Sequence, residues 1–148
     1  GQRSSLLALG VNFYVSFSGF RATMAGTMAS GRFIDSQRGV DWLESEIQTD
    51  VANVLTTAPK VPFTDAGLAL VGGALSGALQ RAVEAGFLAP TGDASAGDIG
   101  TVGYVIGIPA AASYSAAQKA SRSATGITFT ANGAGALHGV TIQGTVIA

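Results

Sequence analysis

The sequence predicts an α+β chain: two amphipathic helices packed on a mainly antiparallel sheet. Three observations predict it. Residues 31–86 hold most of the charge, the single Trp and two apolar repeats at helical spacing. The flanks on both sides are rich in Gly, Ala, Ser and Thr and carry period-two apolar alternation, which is the strand pattern. With 148 residues, one core can be buried.

Residues 11–17 place Val11, Phe13, Val15 and Phe17 on one face and Asn12, Tyr14 and Ser16 on the other, as in a strand. Gly19 breaks it, and residues 20–28 form a second, weaker extended segment. Residues 32–35 read as a short strand, with Asp35, Ser36 and Gly39 as the turn out of it. The first helix then starts at Asp41, where Asp41 and Glu44 have the spacing of a capping box. Leu43, Ile47, Val51 and Val54/Leu55 form its apolar face, and Pro59 closes it.

Thr64 is the expected N-cap of the second helix, with Asp65 in its first turn and Gly86 just past its end. Its apolar stripe is Leu68, Val71, Leu75, Leu79 and Ala82/Val83. Ala69, Gly73 and Gly77 form a line of small residues, for which close approach by another element is expected to offset the helix cost of glycine. Residues 90–100 read as a polar, mobile loop and residues 101–108 as a strand. Residues 113–123 fit either a short helix or a loop. Residues 127–131 and 136–147 alternate as strands around a turn at 132–135, which predicts a hairpin.

The composition narrows function by exclusion. Charged residues make up 11% of the chain, against roughly 25% in an average soluble domain. Apolar residues make up 47%, so too few charges remain to cover a free monomer, and contact with other subunits is expected. A net charge of −1 with scattered Lys and Arg argues against nucleic acid as a partner. The absence of cysteine removes disulfides and thiolate chemistry. The apolar run 66–79 is too short to span a membrane, and residues 1–11 do not read as a signal peptide.

Chemistry-bearing motifs are weak. His138 stands alone and reads as a structural or interface histidine, not a metal ligand. The glycines at 133, 135 and 139 miss the spacing of a phosphate loop, and a strand follows them where a helix N-terminus is needed. Asp93 and Asp98 do not match a calcium loop. A carboxylate hydrolase built on Asp35, Asp41 or Glu44 would lack the constellation such a site demands. No catalytic residue, cofactor or metal site is therefore expected. Trp42 is expected to anchor a core or an interface, and Arg32 and Arg38 to pair with Asp35 or with a neighbouring subunit.

Residues 31–35 (GRFID), 39–43 (GVDWL) and Ile47-Gln48 resemble a stretch of bacteriophage contractile-tail sheath and sheath-like proteins. Residues 61–67 (VPFTDAG) and 78–83 (ALQRAV), running on to Gly86, continue the pattern with the same spacing; residues 135–140 (GALHGV) resemble the family's last strand region. The resemblance covers residues 19–148. It implies the conserved C-terminal domain of a sheath subunit, stacked as rings or a helix around a tail tube. It implies terminal strands available for exchange between subunits, with residues 1–18 as an N-terminal arm, 19–135 as the domain and 136–148 as a C-terminal arm. Val11, Phe13, Val15, Phe17, Arg32, Asp35, Arg38, Trp42, Val140, Ile142 and Val146 are then the expected contact residues. Identical subunits and the tail tube protein are the expected partners. The expected location is the virion after assembly in the host cytoplasm. A tube, terminator or baseplate component is the rival expectation, and would form rings or capped oligomers.

Overall fold

The computed structural model describes residues 5, 8–17, 19–24, 26–90 and 103–136, without the side chains of Phe17 and Met24. The chain is α+β. β1 (Phe13–Phe17) and β2 (Phe20–Met24) form an antiparallel hairpin, in register from Phe13↔Met24 to Phe17↔Phe20. Two long helices follow, α1 (Ile34–Thr57) and α2 (Asp65–Glu84). β3 (Tyr104–Gly107), a 3-10 turn (Ala111–Ser113), α3 (Ala116–Ala120) and β4 (Thr128–Ala131) complete the described chain. β3 and β4 pair antiparallel, so the sheet is two separate two-stranded ladders.

The first helix begins at Ile34, a turn and a half or more ahead of the expected Asp41. Only Phe33 keeps the expected extended pairing, as a bridge to Thr27. The supposed turn residues Asp35, Ser36 and Gly39 are helical. Asp35 explains the early start: its carboxylate accepts from the Ser36 N–H at 2.7 Å, and its charge suits a helix N-terminus. Gly39 is helical because the Phe87 ring fills the space where a Cβ would stand, so packing offsets the glycine. Asp41 and Glu44 form no capping box. They accept instead from Gln37 at 2.8 Å and Gln48 at 3.1 Å, four residues away along the helix.

The second helix follows the sequence closely. The Thr64 hydroxyl accepts from the Gly67 N–H at 3.3 Å. Gly86, at φ +72°, and Phe87 donate back to Val83 and Ala82, which is a Schellman ending. Leu68, Leu75, Leu79 and Ala82 are buried. Leu43 of α1, Leu88 and Tyr104 join Leu75, Leu79 and Ala82 in one cluster, with Leu79 at 0% exposure as its centre. The small-residue line behaves differently from expectation. Gly73 faces open space and Gly77 faces Arg81 and Asp50. The close approaches fall on Gly67, against the Pro62 carbonyl, and Gly72, against Ile108.

The segment expected as a turn at 132–135 is extended. Ala89 N–H donates to Asn132 at 2.9 Å, Ala134 N–H donates to Phe87 at 2.8 Å, and Leu88 bridges Gly133. Pairing with residues 87–89 supplies hydrogen bonds that a turn would forgo. Gly103, at φ +80°, lies against the Ala89 carbonyl, where no side chain fits. Residues 87–89 and β3 therefore run end to end along one edge of residues 128–134, since Ala89 opposes Asn132 and Tyr104 opposes Ala131. The predicted hairpin partner at 136–147 lies outside the described residues except for Ala136. Within the ambiguous 113–123 segment, Ser115 and Gln118 form a full capping box that starts α3.

Candidate assembly surface

Among the described residues, residues 128–134 have partners along one edge and none along the other. Asn132 and Ala134 use their backbone groups on residues 87–89. Strand alternation turns the N–H and C=O of Phe129, Ala131 and Gly133 to the other edge. Beside that edge runs an apolar groove of about 440 Å3. Val40, Leu43 and Ile47 of α1 form one wall, and Phe87, Leu88, Phe129 and Ala131 the other. Glu44 and Gln48, hydrogen-bonded to each other, supply its polar lining. Val40 is 48% and Phe129 43% exposed, so large apolar groups in this groove face outward. An open ladder edge next to an apolar trough is the geometry that accepts an added strand: the backbone pairs, and alternate side chains fill the trough.

α1, which forms one wall of the groove, is braced to α2 on its other flank. Arg81 of α2 reaches across to α1, with Nη2 at 2.6 Å from Asp50 and 2.9 Å from Glu46. Hydrogen bonds to Asp50 first and Glu46 second hold the guanidinium pKa above its ordinary value. Tyr104 ties β3 to α2 through Ser76, 2.9 Å from its hydroxyl. Asp65 accepts from the Ala111 N–H at 2.6 Å, and Phe63 stacks edge-on against Tyr114 at 5.0 Å, so the 111–125 segment is fastened to the start of α2. By length and composition α2 is apolar enough to cross a membrane, but Leu68, Leu75 and Leu79 are buried within the fold and Leu70 is exposed.

The expected contact residues fall into three groups. Val11, Phe13, Val15 and Phe17 belong to the N-terminal hairpin region, where Val15 is buried, Phe13 half-buried and Val11 exposed. β1 is paired with β2 of its own chain, so the hairpin straddles the expected boundary at residue 18. Arg32, Asp35, Arg38 and Trp42 are all exposed. Asp35, Arg38 and Trp42 share one helix face at i, i+3 and i+7. Asp35 accepts from the Ser36 N–H, and the ion pairs found among the described residues are those of Arg81. Val140, Ile142, Val146 and His138 lie outside the described residues.

Sequence reasoning missed the groove and the Arg81 bridge. Both join residues far apart in the chain, and no local pattern announces such a meeting. Gly39 was the one available signal: a glycine inside an apolar-periodic segment marks a close approach.

The described residues form an α+β domain with an apolar trough beside a strand edge that has no partner among them. No group of three metal-ligating side chains occurs among the described residues. Residues 34–146 match the family described as E217 tail sheath protein gp31-like, C-terminal domain, and the chain belongs to that family. No match is found among curated proteins. Family membership implies a structural role in a phage tail, and with it a place in the virion.

Proposed function

We propose that the chain is a structural subunit of a phage or prophage-derived contractile tail sheath-like assembly. It self-assembles into rings or a helical tube by exchanging terminal strands, and it catalyses no reaction. Residues 1–18 and 136–148 act as arms around a domain at 19–135. Identical subunits are its main partners and the tail tube protein a further one. It binds no nucleic acid, spans no membrane and is assembled in the host cytoplasm.

The family match over residues 34–146 carries this reading. The edge of residues 128–134 that has no partner among the described residues supports the exchange step, because a donated strand finds both backbone partners and an apolar seat there. A donor–acceptor contact of this kind joins different surfaces of two copies, and such contacts repeat into rings or helices. Electron microscopy of the purified chain tests the proposal. Tubes or stacked rings are expected. A chain that stays monomeric at high concentration by light scattering would remove the assembly role. Single capped rings would favour a terminator or baseplate component.

A further inference from the structure

The three asparagines of the chain are followed by Phe13, Val54 and Gly133. Only in the last pair does the following residue lack a side chain to shield its backbone nitrogen. An Asn–Gly pair is the dipeptide most prone to spontaneous deamidation, a reaction that makes asparagine thermolabile. Here the pair sits in an extended ladder, not in a loose turn. The Asn132 carbonyl accepts from the Ala89 N–H at 2.9 Å, and the Ala134 N–H donates to the Phe87 carbonyl at 2.8 Å. We propose that Asn132 is a deamidation site that the ladder to residues 87–89 holds shut, and that it converts when this ladder opens. The lesion needs no second subunit, so it is independent of the assembly reading above.

The chemistry uses only the chain and water. The Gly133 amide nitrogen attacks Asn132 Cγ, and the new bond closes a cyclic imide. The Cγ–Nδ2 bond breaks, and Nδ2 leaves as ammonia with the proton that Gly133 gives up through solvent. Water then adds to one of the two imide carbonyls, leaving Asp or isoaspartate at position 132.

Three observations carry the proposal. The first is the backbone. Attack requires the peptide unit between Asn132 and Gly133 to turn toward the Asn132 side chain. Its carbonyl is tied to Ala89, and Leu88 bridges Gly133 beside it, so turning breaks the ladder first. The second is the leaving group. Nδ2 of Asn132 is buried and makes no hydrogen bond among the described residues. Ammonia cannot leave from there until the strand moves. The third is Gly133 itself. Its φ is not positive, and a Cβ added to it meets nothing within 4 Å. The fold does not require glycine at this position, so the nucleophile is unshielded without a steric reason.

Both products work against reclosure. Asp places a carboxylate where the buried amide nitrogen already lacks a partner. Isoaspartate lengthens the backbone and shifts the register of residues 133–134 against 87–89. One opening event is thereby made permanent.

Peptide mass spectrometry of the tryptic fragment beyond Arg122, after incubation of the full chain, tests the inference. The folded chain is expected to convert Asn132 on the order of tenfold or more slower than the same chain unfolded in urea, because only the opened fraction reacts. Equal rates would overturn the proposal. Exchange of the Ala89 and Ala134 amides, followed at low urea, should rise in step with conversion. Conversion while both amides stay protected would place the reaction in the closed ladder and overturn it too. Neither measurement needs a variant. Ala89→Pro removes the N–H that holds the Asn132 carbonyl, and should speed conversion while the amides around Leu79 keep their protection. Conversion as slow as in the unaltered chain would show that this bond is not the lock. Gly133→Ala should bring conversion in the unfolded chain down toward that of Asn12 and Asn53 and leave the urea midpoint unchanged. Undiminished conversion would remove Gly133 as the nucleophile.

Discussion

The helix pair and the N-terminal hairpin are held by different means. α1 and α2 are joined by a leucine-rich core, by the ring of Phe87 on Gly39 and by the Arg81 bridge. The hairpin is joined to the rest by polar and backbone ties. Asn12 exchanges two hydrogen bonds with Thr27, at 2.6 and 3.0 Å, and Thr27 bridges Phe33. Phe20, at 71%, and Tyr14, at 65% exposure, face outward, while Val15 is buried and Phe13 half-buried. A two-stranded hairpin alone is marginal in water. The helix pair has a buried core of its own, whereas the hairpin buries Val15 and leaves Phe20 and Tyr14 exposed.

The hardest test of that contrast is at the centre of the helix pair. Leu79→Ala removes a side chain with no exposure and leaves a cavity among Leu43, Leu75 and Tyr104. A loss of about 2–5 kcal/mol is expected in urea unfolding. A loss under 1 kcal/mol would show that the core is not organised around this residue.

Tyr104→Phe probes how β3 is fastened to the helices. The hydroxyl lies 2.9 Å from Ser76 Oγ and donates to the Ser76 carbonyl at 3.2 Å. Removing it should cost about 0.5–1.5 kcal/mol in the same assay. Arg81→Met should also destabilise, by an amount that shrinks as salt is raised, because both of its ion pairs are partly exposed.

Gly73→Ala has the opposite sign. A Cβ there meets nothing within 4 Å, so the subunit should gain up to ~1 kcal/mol from helix propensity. Gly67→Ala, by contrast, drives its methyl into the Pro62 carbonyl and should destabilise. If Gly73→Ala stabilises the monomer yet blocks assembly, the face carrying Ala69 and Gly73 is a contact between subunits. If it stabilises and assembly is unchanged, that face is solvent.

The difference between the two regions also marks what the sequence made legible. α2 was readable to the residue at both ends, because Thr64, Asp65 and Gly86 are local signals read by local backbone. The start of α1 was not. Gly39 and the Ser36 neighbourhood resemble a turn until Phe87, far along the chain, packs on the glycine. The strands at 104–107 and 128–131 were legible as strands, but their pairing was not. Asn132-Gly133 carries turn chemistry, yet residues 87–89 offered better-satisfied hydrogen bonds. The groove was not legible. Arg32, Arg38 and Trp42 are exposed, while the groove depends on α1 and β4 meeting in space.

The smallest expected effect on stability is at the hairpin, and it separates the two regions most sharply. Phe20 opposes Phe17 at the closed end of the hairpin and has little to lose on truncation. Phe20→Ser should change the urea midpoint of the monomer by no more than about 0.5 kcal/mol, as exposed substitutions do. Its effect on self-association should be far larger. An exposed aromatic at a hairpin tip is where a neighbour gains apolar contact at little ordering cost. Sedimentation across a concentration series would read this directly. Equal losses in stability and assembly would mean that the hairpin is part of the core after all. Loss of assembly with unchanged stability would fix it as surface that a second subunit completes.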